Sequence, residues 1–223
     1  MKLWTGNDDV SHVGILMKGE FLPEHPSIDP DTWYVLETTA SGRIAGCYNA
    51  SPVVDVVTGR GRLGTQVRPL LPVVETYEGS VYLGPLNDNP TVQKEKESDE
   101  DYAKRMQELK DRMKEPLNRL LELRYNVSVW DCFYALCSCC RCCHCCANQM
   151  ICSQLVGEIL QELGVIEEKY DPRTMLPVDF LAERTPDGDY VPVDNDGMPG
   201  LVNEDKLIRL PLKETDSNNE DVA

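Results

Sequence analysis

A thiol, an imidazole and a carboxylate, far apart along the chain, have the types and settings that nucleophilic attack on a carbonyl requires. Cys152 lies where Ile151, Leu155, Ile159 and Leu163 recur every four residues. That spacing predicts an amphipathic helix with Asn148 as its N-cap and Gly164 as the residue that ends it. A thiol in or near the first turn feels the positive end of the helix dipole and unpaired backbone N–H groups, and both favour the thiolate. The bland alternative is a small apolar core residue, the usual fate of a free cysteine. Attack by a thiolate also needs an imidazole to share its proton and a third polar group to hold the tautomer and orientation of that imidazole. His12 and Glu37, on successive predicted strands, supply those types. His25 sits in a proline-rich loop and His144 among clustered cysteines, so both are weaker candidates.

The elements that would position these groups come next. Residues 11–17 form an apolar run bounded by Asn7-Asp8-Asp9 and Gly19-Glu20, which reads as a strand with His12 at its mouth. A loop holding Pro23, Pro26 and Pro30 leads to residues 32–39, rich in aromatic and β-branched side chains and therefore a second strand. Alternation puts Trp33, Val35 and Glu37 on one face and Tyr34 and Leu36 on the other. A carboxylate in that line is either partnered or near the strand's exposed end. Residues 42–64 are glycine-rich, and residues 55–62 read as a flexible segment with a basic spot that lacks the spacing of a phosphate-binding loop. Residues 63–70 and 80–86 are further strand candidates, followed by an acidic helix start at Ser98-Asp99-Glu100-Asp101. Tyr102, Met106, Leu109, Met113, Leu117, Leu120 and Leu121 then predict an amphipathic helix over about 99–123, kinked or broken at Pro116. Residues 190–193 and 207–210 are late strand candidates.

Composition limits the function classes. Thirty-eight acidic against 22 basic side chains give a net charge of −16, which argues against nucleic acid as a partner. No window supplies the roughly 18 uninterrupted apolar residues of a membrane span. The start of the chain has no apolar core of a secretory signal, so a cytoplasmic setting with reduced thiols is expected. Eight of the ten cysteines lie between Cys132 and Cys146. Thiols this dense suit zinc or copper(I), or reversible acylation beside the apolar run 127–136, but the doublets do not match a zinc finger and no metal ligand is assigned. Residues 1–212 read as one domain and residues 213–223 as a disordered acidic tail.

The blocks 11–15, 34–39, 125–126, 151–156 and 163–165 together resemble the circularly permuted branch of the NlpC-type papain-like cysteine hydrolases. That branch includes bacterial hydrolases, lecithin retinol acyltransferase-like proteins and proteins of large DNA viruses. The histidine precedes the acid and the acid precedes the cysteine, as in that branch. The resemblance covers roughly residues 3–180. It implies an α+β, permuted papain-like fold, a small antiparallel sheet or partial barrel packed on the helix that carries the nucleophile. It implies that Cys152 is the nucleophile, His12 the base and acid, and Glu37 the orienting group, with Tyr125 at the substrate or oxyanion site. It further implies a thiol hydrolase, a peptidase, amidase or acyl hydrolase, working through an acyl-enzyme without a cofactor on a peptide or lipid acyl substrate. Contact with lipid is compatible with that class, and a viral member would work in host cytoplasm or in the virion. The charged helix 99–123 and the cysteine-rich segment 132–146 have no family counterpart and read as insertions. The alternative is a catalytically silent relative that binds partners or metal through its acidic surface and cysteine-rich segment.

Overall fold

The computed structural model describes residues 12–40, 52–77, 81–87, 89–122, 124–125, 149–150, 152–175, 180–184, 190–192, 201–203 and 207–210. The cysteine-rich segment, Asn148 and residues 213–223 lie outside the described residues.

Three antiparallel strands form the centre: β1 (Ile15–Lys18), β2 (Trp33–Ala40) and β3 (Leu63–Pro69). The long pairing of β2 with β3 sets Glu37 opposite Gln66 and Val35 opposite Arg68. Helix α1 (Leu70–Thr76) follows β3 directly, a turn of chain absent from the sequence reading, which carried the strand on to Leu70. Strand β4 (Tyr82–Leu83) is much shorter than the expected run, and α2 spans Asp99–Glu122. Strands β5 (Arg124–Tyr125) and β6 (Gln149–Met150) complete a five-stranded sheet in the order β1-β2-β3-β5-β6, the last pair parallel. Helix α3 (Cys152–Glu162) leaves that sheet almost at once. Beyond it, β7 (Leu181–Arg184), β8 (Tyr190–Pro192) and β9 (Val202–Asn203) make a small sheet, and β10 (Ile208–Arg209) pairs with β4. The class is therefore mixed α+β.

The core follows from the patterning. Tyr34 and Leu36 of β2 and Val67 of β3 are buried with Met113, Leu117 and Leu120 of α2 and Leu155, Ile159 and Leu160 of α3. The apolar stripe expected on α2 is the buried face: Met106, Leu109, Met113, Leu117 and Leu120 are buried, and Tyr102 and Leu121 pack against the same cluster. Ser98 caps the helix by accepting the Asp101 N–H at 3.1 Å. Pro116 does not break α2, which runs through it as one helix. An internal proline costs about 3 kcal/mol. Burial of Met113, Leu117 and Leu120 around it supplies more than that, at roughly 1.5–3 kcal/mol for each such side chain.

The glycine-rich segment also departs from expectation. Where described, residues 55–60 form a closed turn, with Asp55 bridged to Arg60. The Asp55 carboxylate is 1% exposed and accepts the Val67 N–H at 2.9 Å and the Thr58 N–H at 3.0 Å. Gly59, at φ +64°, makes the left-handed step of that turn. One buried carboxylate spent on backbone donors closes what composition alone reads as loose chain.

Candidate active site

Cys152 is the first residue of α3 and is 4% exposed. Strand β6 at residues 149–150 comes just before the helix, and the expected cap, Asn148, lies outside the described residues. The C-terminal expectation fits: Gly164 has φ +75° and donates to the Gln161 carbonyl at 2.8 Å, and Val165 N–H donates to the Leu160 carbonyl at 2.8 Å. This paired bonding closes the helix through a left-handed residue. Ser153 Oγ–H donates to the Met175 carbonyl at 2.6 Å in a buried contact, and Gln154 Nε2–H donates to the Arg173 carbonyl at 2.9 Å. Both bonds tie the first turn of α3 to the chain that returns across it.

His12 lies three residues before β1, and the segment carrying it runs close against β2. A β-carbon on Gly14 would meet Val35 Cγ1 at 3.0 Å, Glu37 Cβ at 3.2 Å and the Leu36 carbonyl at 3.3 Å. The absence of a side chain at residue 14 thus lets this segment pass close over β2 beside Glu37. His12 Nε2–H donates to Glu37 Oε2 at 2.6 Å. The imidazole is also hydrogen-bonded to the Cys152 sulfur. With Nε2 engaged by the carboxylate, Nδ1 is the ring atom left for the sulfur. The side chain of His12 is 27% exposed and that of Glu37 is 5% exposed, so the imidazole is the member of the set that meets solvent.

Glu37 is partnered on its other oxygen. Arg68 Nε–H donates to Glu37 Oε1 at 2.9 Å, and Arg68 Nη2–H donates to the same oxygen. Arg68 Nη1–H reaches the Val53 carbonyl at 3.4 Å. Arg68 is absent from the sequence-level candidates. The signal for it was an arginine alternating with Val67 on a predicted strand, one strand away from a carboxylate that is either partnered or near its strand's exposed end.

The electrostatics form one coupled system. Burial pushes the Cys152 thiol up. The hydrogen bond and charge of His12, with the Val13 and Ser153 backbone N–H groups, more than offset this and leave the thiol below its ordinary value of 9.0. Burial pulls His12 down, but hydrogen bonds to Cys152 and Glu37 and their negative charges hold it well above 6.5. Burial raises Glu37, and the bond and charge of His12 together with Arg68 bring it below 4.5. All three directions favour a thiolate–imidazolium pair anchored on a carboxylate.

The structure therefore brings Cys152, His12 and Glu37 together. The backbone of Tyr125 lies on β5, paired in register with Met150, two residues before Cys152. Among the described residues no group of three or more His, Cys, Asp and Glu side chains is arranged to hold a metal ion. Among the described residues, too, no helix is long and apolar enough to cross a membrane. The depression lined by Arg119, Glu158, Glu162, Asp171 and Arg173 contains none of the three site residues. Its charges pair with one another, Arg119 with Glu158 at 3.6 Å and Arg173 with Asp171 at 2.7 Å. No family model, curated protein or solved structure matches this chain.

Proposed function

We propose that the protein is a cysteine hydrolase acting on peptide amides or lipid acyl esters through Cys152, His12 and Glu37. One observation carries the reading: three segments far apart in sequence converge so that His12 bridges a buried sulfur and a buried carboxylate. In the reaction the Cys152 thiolate attacks the substrate carbonyl carbon. The C=O electron pair moves onto oxygen, where backbone N–H groups at the head of α3 stabilise it. The His12 imidazolium then protonates the leaving amine or alcohol as the tetrahedral adduct collapses to an acyl-enzyme. Neutral His12 next takes a proton from water, whose oxygen attacks the thioester, and the sulfur leaves as thiolate. Glu37 holds the ring throughout, and Tyr125 lies on β5, the neighbour of the strand that leads toward the nucleophile. The order of histidine, acid and cysteine, with a helix bearing the sulfur packed on antiparallel strands, supports a permuted papain-like fold of the NlpC type. A reducing compartment such as the cytoplasm suits a free catalytic sulfur.

The test is site-resolved labelling of the purified protein with electrophilic amide and ester analogues at pH 6, read by peptide mass at each of the ten cysteines. Cys152 is expected to react first. His12→Ala should slow its labelling by on the order of a hundredfold, the loss that follows when thiolate is no longer held at that pH. Labelling of Cys152 no faster than the other thiols, or unchanged in His12→Ala, overturns the reading.

A further inference from the structure

Resting on the hydrolase reading above, we propose that Arg68 is a positioning residue of the site, its guanidinium fork reserving one oxygen of Glu37 for His12. Two Arg68 donors, Nε–H and Nη2–H, converge on Oε1, and Oε2 is left to accept from Nε2 of the imidazole. That division determines which ring nitrogen serves the sulfur: with Nε2 committed to Glu37, Nδ1 is the nitrogen left for Cys152.

The sheet makes the division rigid. Arg68 and Glu37 sit on adjacent strands with Arg68 opposite Val35, so the two side chains are diagonal neighbours on one face. Both are almost wholly buried, with side-chain exposures of 4% and 5%. A carboxylate so enclosed stays ionised only with charge-assisted partners, and a guanidinium supplies two parallel donors where an ammonium supplies a point charge. Among the described residues, the charged and titratable groups that face Glu37 are His12, from the segment before β1, and Arg68, from β3. Cys152, from α3, acts through His12. Gln66, the residue opposite Glu37, donates to the Thr39 carbonyl at 2.7 Å and the Arg62 carbonyl at 2.9 Å. Without Arg68 the buried carboxylate takes up a proton at higher pH, and its hold on the imidazolium ends there.

The readout is the rate of Cys152 alkylation by iodoacetamide against pH, resolved by peptide mass. It is compared in the full chain and in the Arg68→Lys, Arg68→Met, Glu37→Gln and Glu37→Gln/Arg68→Met variants, with melting temperature measured in parallel. Arg68→Met is expected to move the acid limb of the profile up by about one pH unit or more, and Arg68→Lys by part of that. The double variant leaves no buried charge unpaired, so it should regain melting temperature lost by the single variants without regaining the wild-type limb. A wild-type limb in folded Arg68→Met or Arg68→Lys overturns the proposal and marks Arg68 as a partner in the core alone. Recovery of both limb and melting temperature in the double variant does the same. A different result, in which Cys152 of the unmutated protein titrates as an ordinary thiol, overturns the hydrolase reading itself.

Discussion

Two arginine–glutamate pairs in this molecule use the same groups in different ways. On the outer face of α2, Arg105 engages both oxygens of Glu97, Nε to Oε1 at 2.7 Å and Nη2 to Oε2 at 2.7 Å. In the sheet, Arg68 engages one oxygen of Glu37 with two donors and leaves the second to His12. The outer carboxylate gives both oxygens to the fork, with the Lys94 N–H also on Oε2 at 3.0 Å, and Arg105 reaches on to the Pro90 carbonyl and to the Val92 carbonyl at 3.0 Å. That pair fastens the loop before α2 to the helix. The inner carboxylate is only half used by arginine, so its other half can be passed to an imidazole and, through it, to a sulfur. A bidentate pair is a structural clasp, whereas a pair that withholds one oxygen can transmit charge.

The largest contrast comes from removing each carboxylate's charge in turn. Glu37→Gln leaves Arg68 buried without its counterion, which costs roughly 3–5 kcal/mol when one partner of a buried pair is lost. It also removes the acceptor that orients His12, and alkylation of Cys152 at pH 6 is expected to fall by about two orders of magnitude or more. Glu97→Gln loosens a pair whose arginine is 26% exposed on its side chain, and is expected to leave Cys152 alkylation unchanged. Chemical unfolding and peptide-resolved alkylation measure both effects. Equal losses of reactivity in the two variants would erase the distinction between clasp and relay.

Acid sharpens the comparison at smaller amplitude. The Arg105 side chain and the Lys94 backbone N–H hold Glu97 at about 2, below its ordinary 4.5. A carboxyl lowered in the folded state contributes stability that is complete above its unfolded value and lost as pH falls through its folded value. The outer pair therefore weakens between pH 4.5 and about 2. Glu97→Gln should flatten the fall of stability across that window while the acid limb of Cys152 alkylation stays in place. Glu37 has the same sign, since it too lies below 4.5, but its loss carries the alkylation limb with it. An unflattened slope in Glu97→Gln, measured by denaturant titration at successive pH values, would show that Arg105 does not hold that carboxyl.

How far the sequence reveals this arrangement depends on the range of each interaction. Features set within a turn or a strand were readable: the apolar stripe of α2, the alternation that put Glu37 in line with Trp33 and Val35, and the left-handed stop at Gly164. The Arg68 contact was not, because its partner lies 31 residues away and is chosen by strand register, which periodicity does not supply. The strand just before α3 was equally out of reach, because residues 149–150 pair with β5 through a register that periodicity does not supply. Pro116 shows an override instead, as burial of its neighbours outweighs a local penalty.

Gly14 offers the mildest way to disturb the inner pair without touching a charged atom. A methyl group there would press on Val35 Cγ1, Glu37 Cβ and the Leu36 carbonyl at 3.0–3.3 Å, so the chain or β2 must give by a few tenths of an ångström. The hydrogen bond from His12 to Glu37 is 2.6 Å long and leaves little slack, and His12 is only two residues away. Gly14→Ala is expected to lower stability by about 1 kcal/mol, the low end of what overpacking costs. It should slow Cys152 alkylation at pH 6 several-fold, as a small displacement of a positioned group does. The same change should leave the acid weakening between pH 4.5 and about 2 that belongs to Glu97 untouched, because Glu97 and Arg105 pair within 8 residues of each other and the clasp needs nothing from the segment before β1. If Gly14→Ala alkylates as fast as the parent, the close passage of that segment over β2 is not what delivers His12 to its carboxylate.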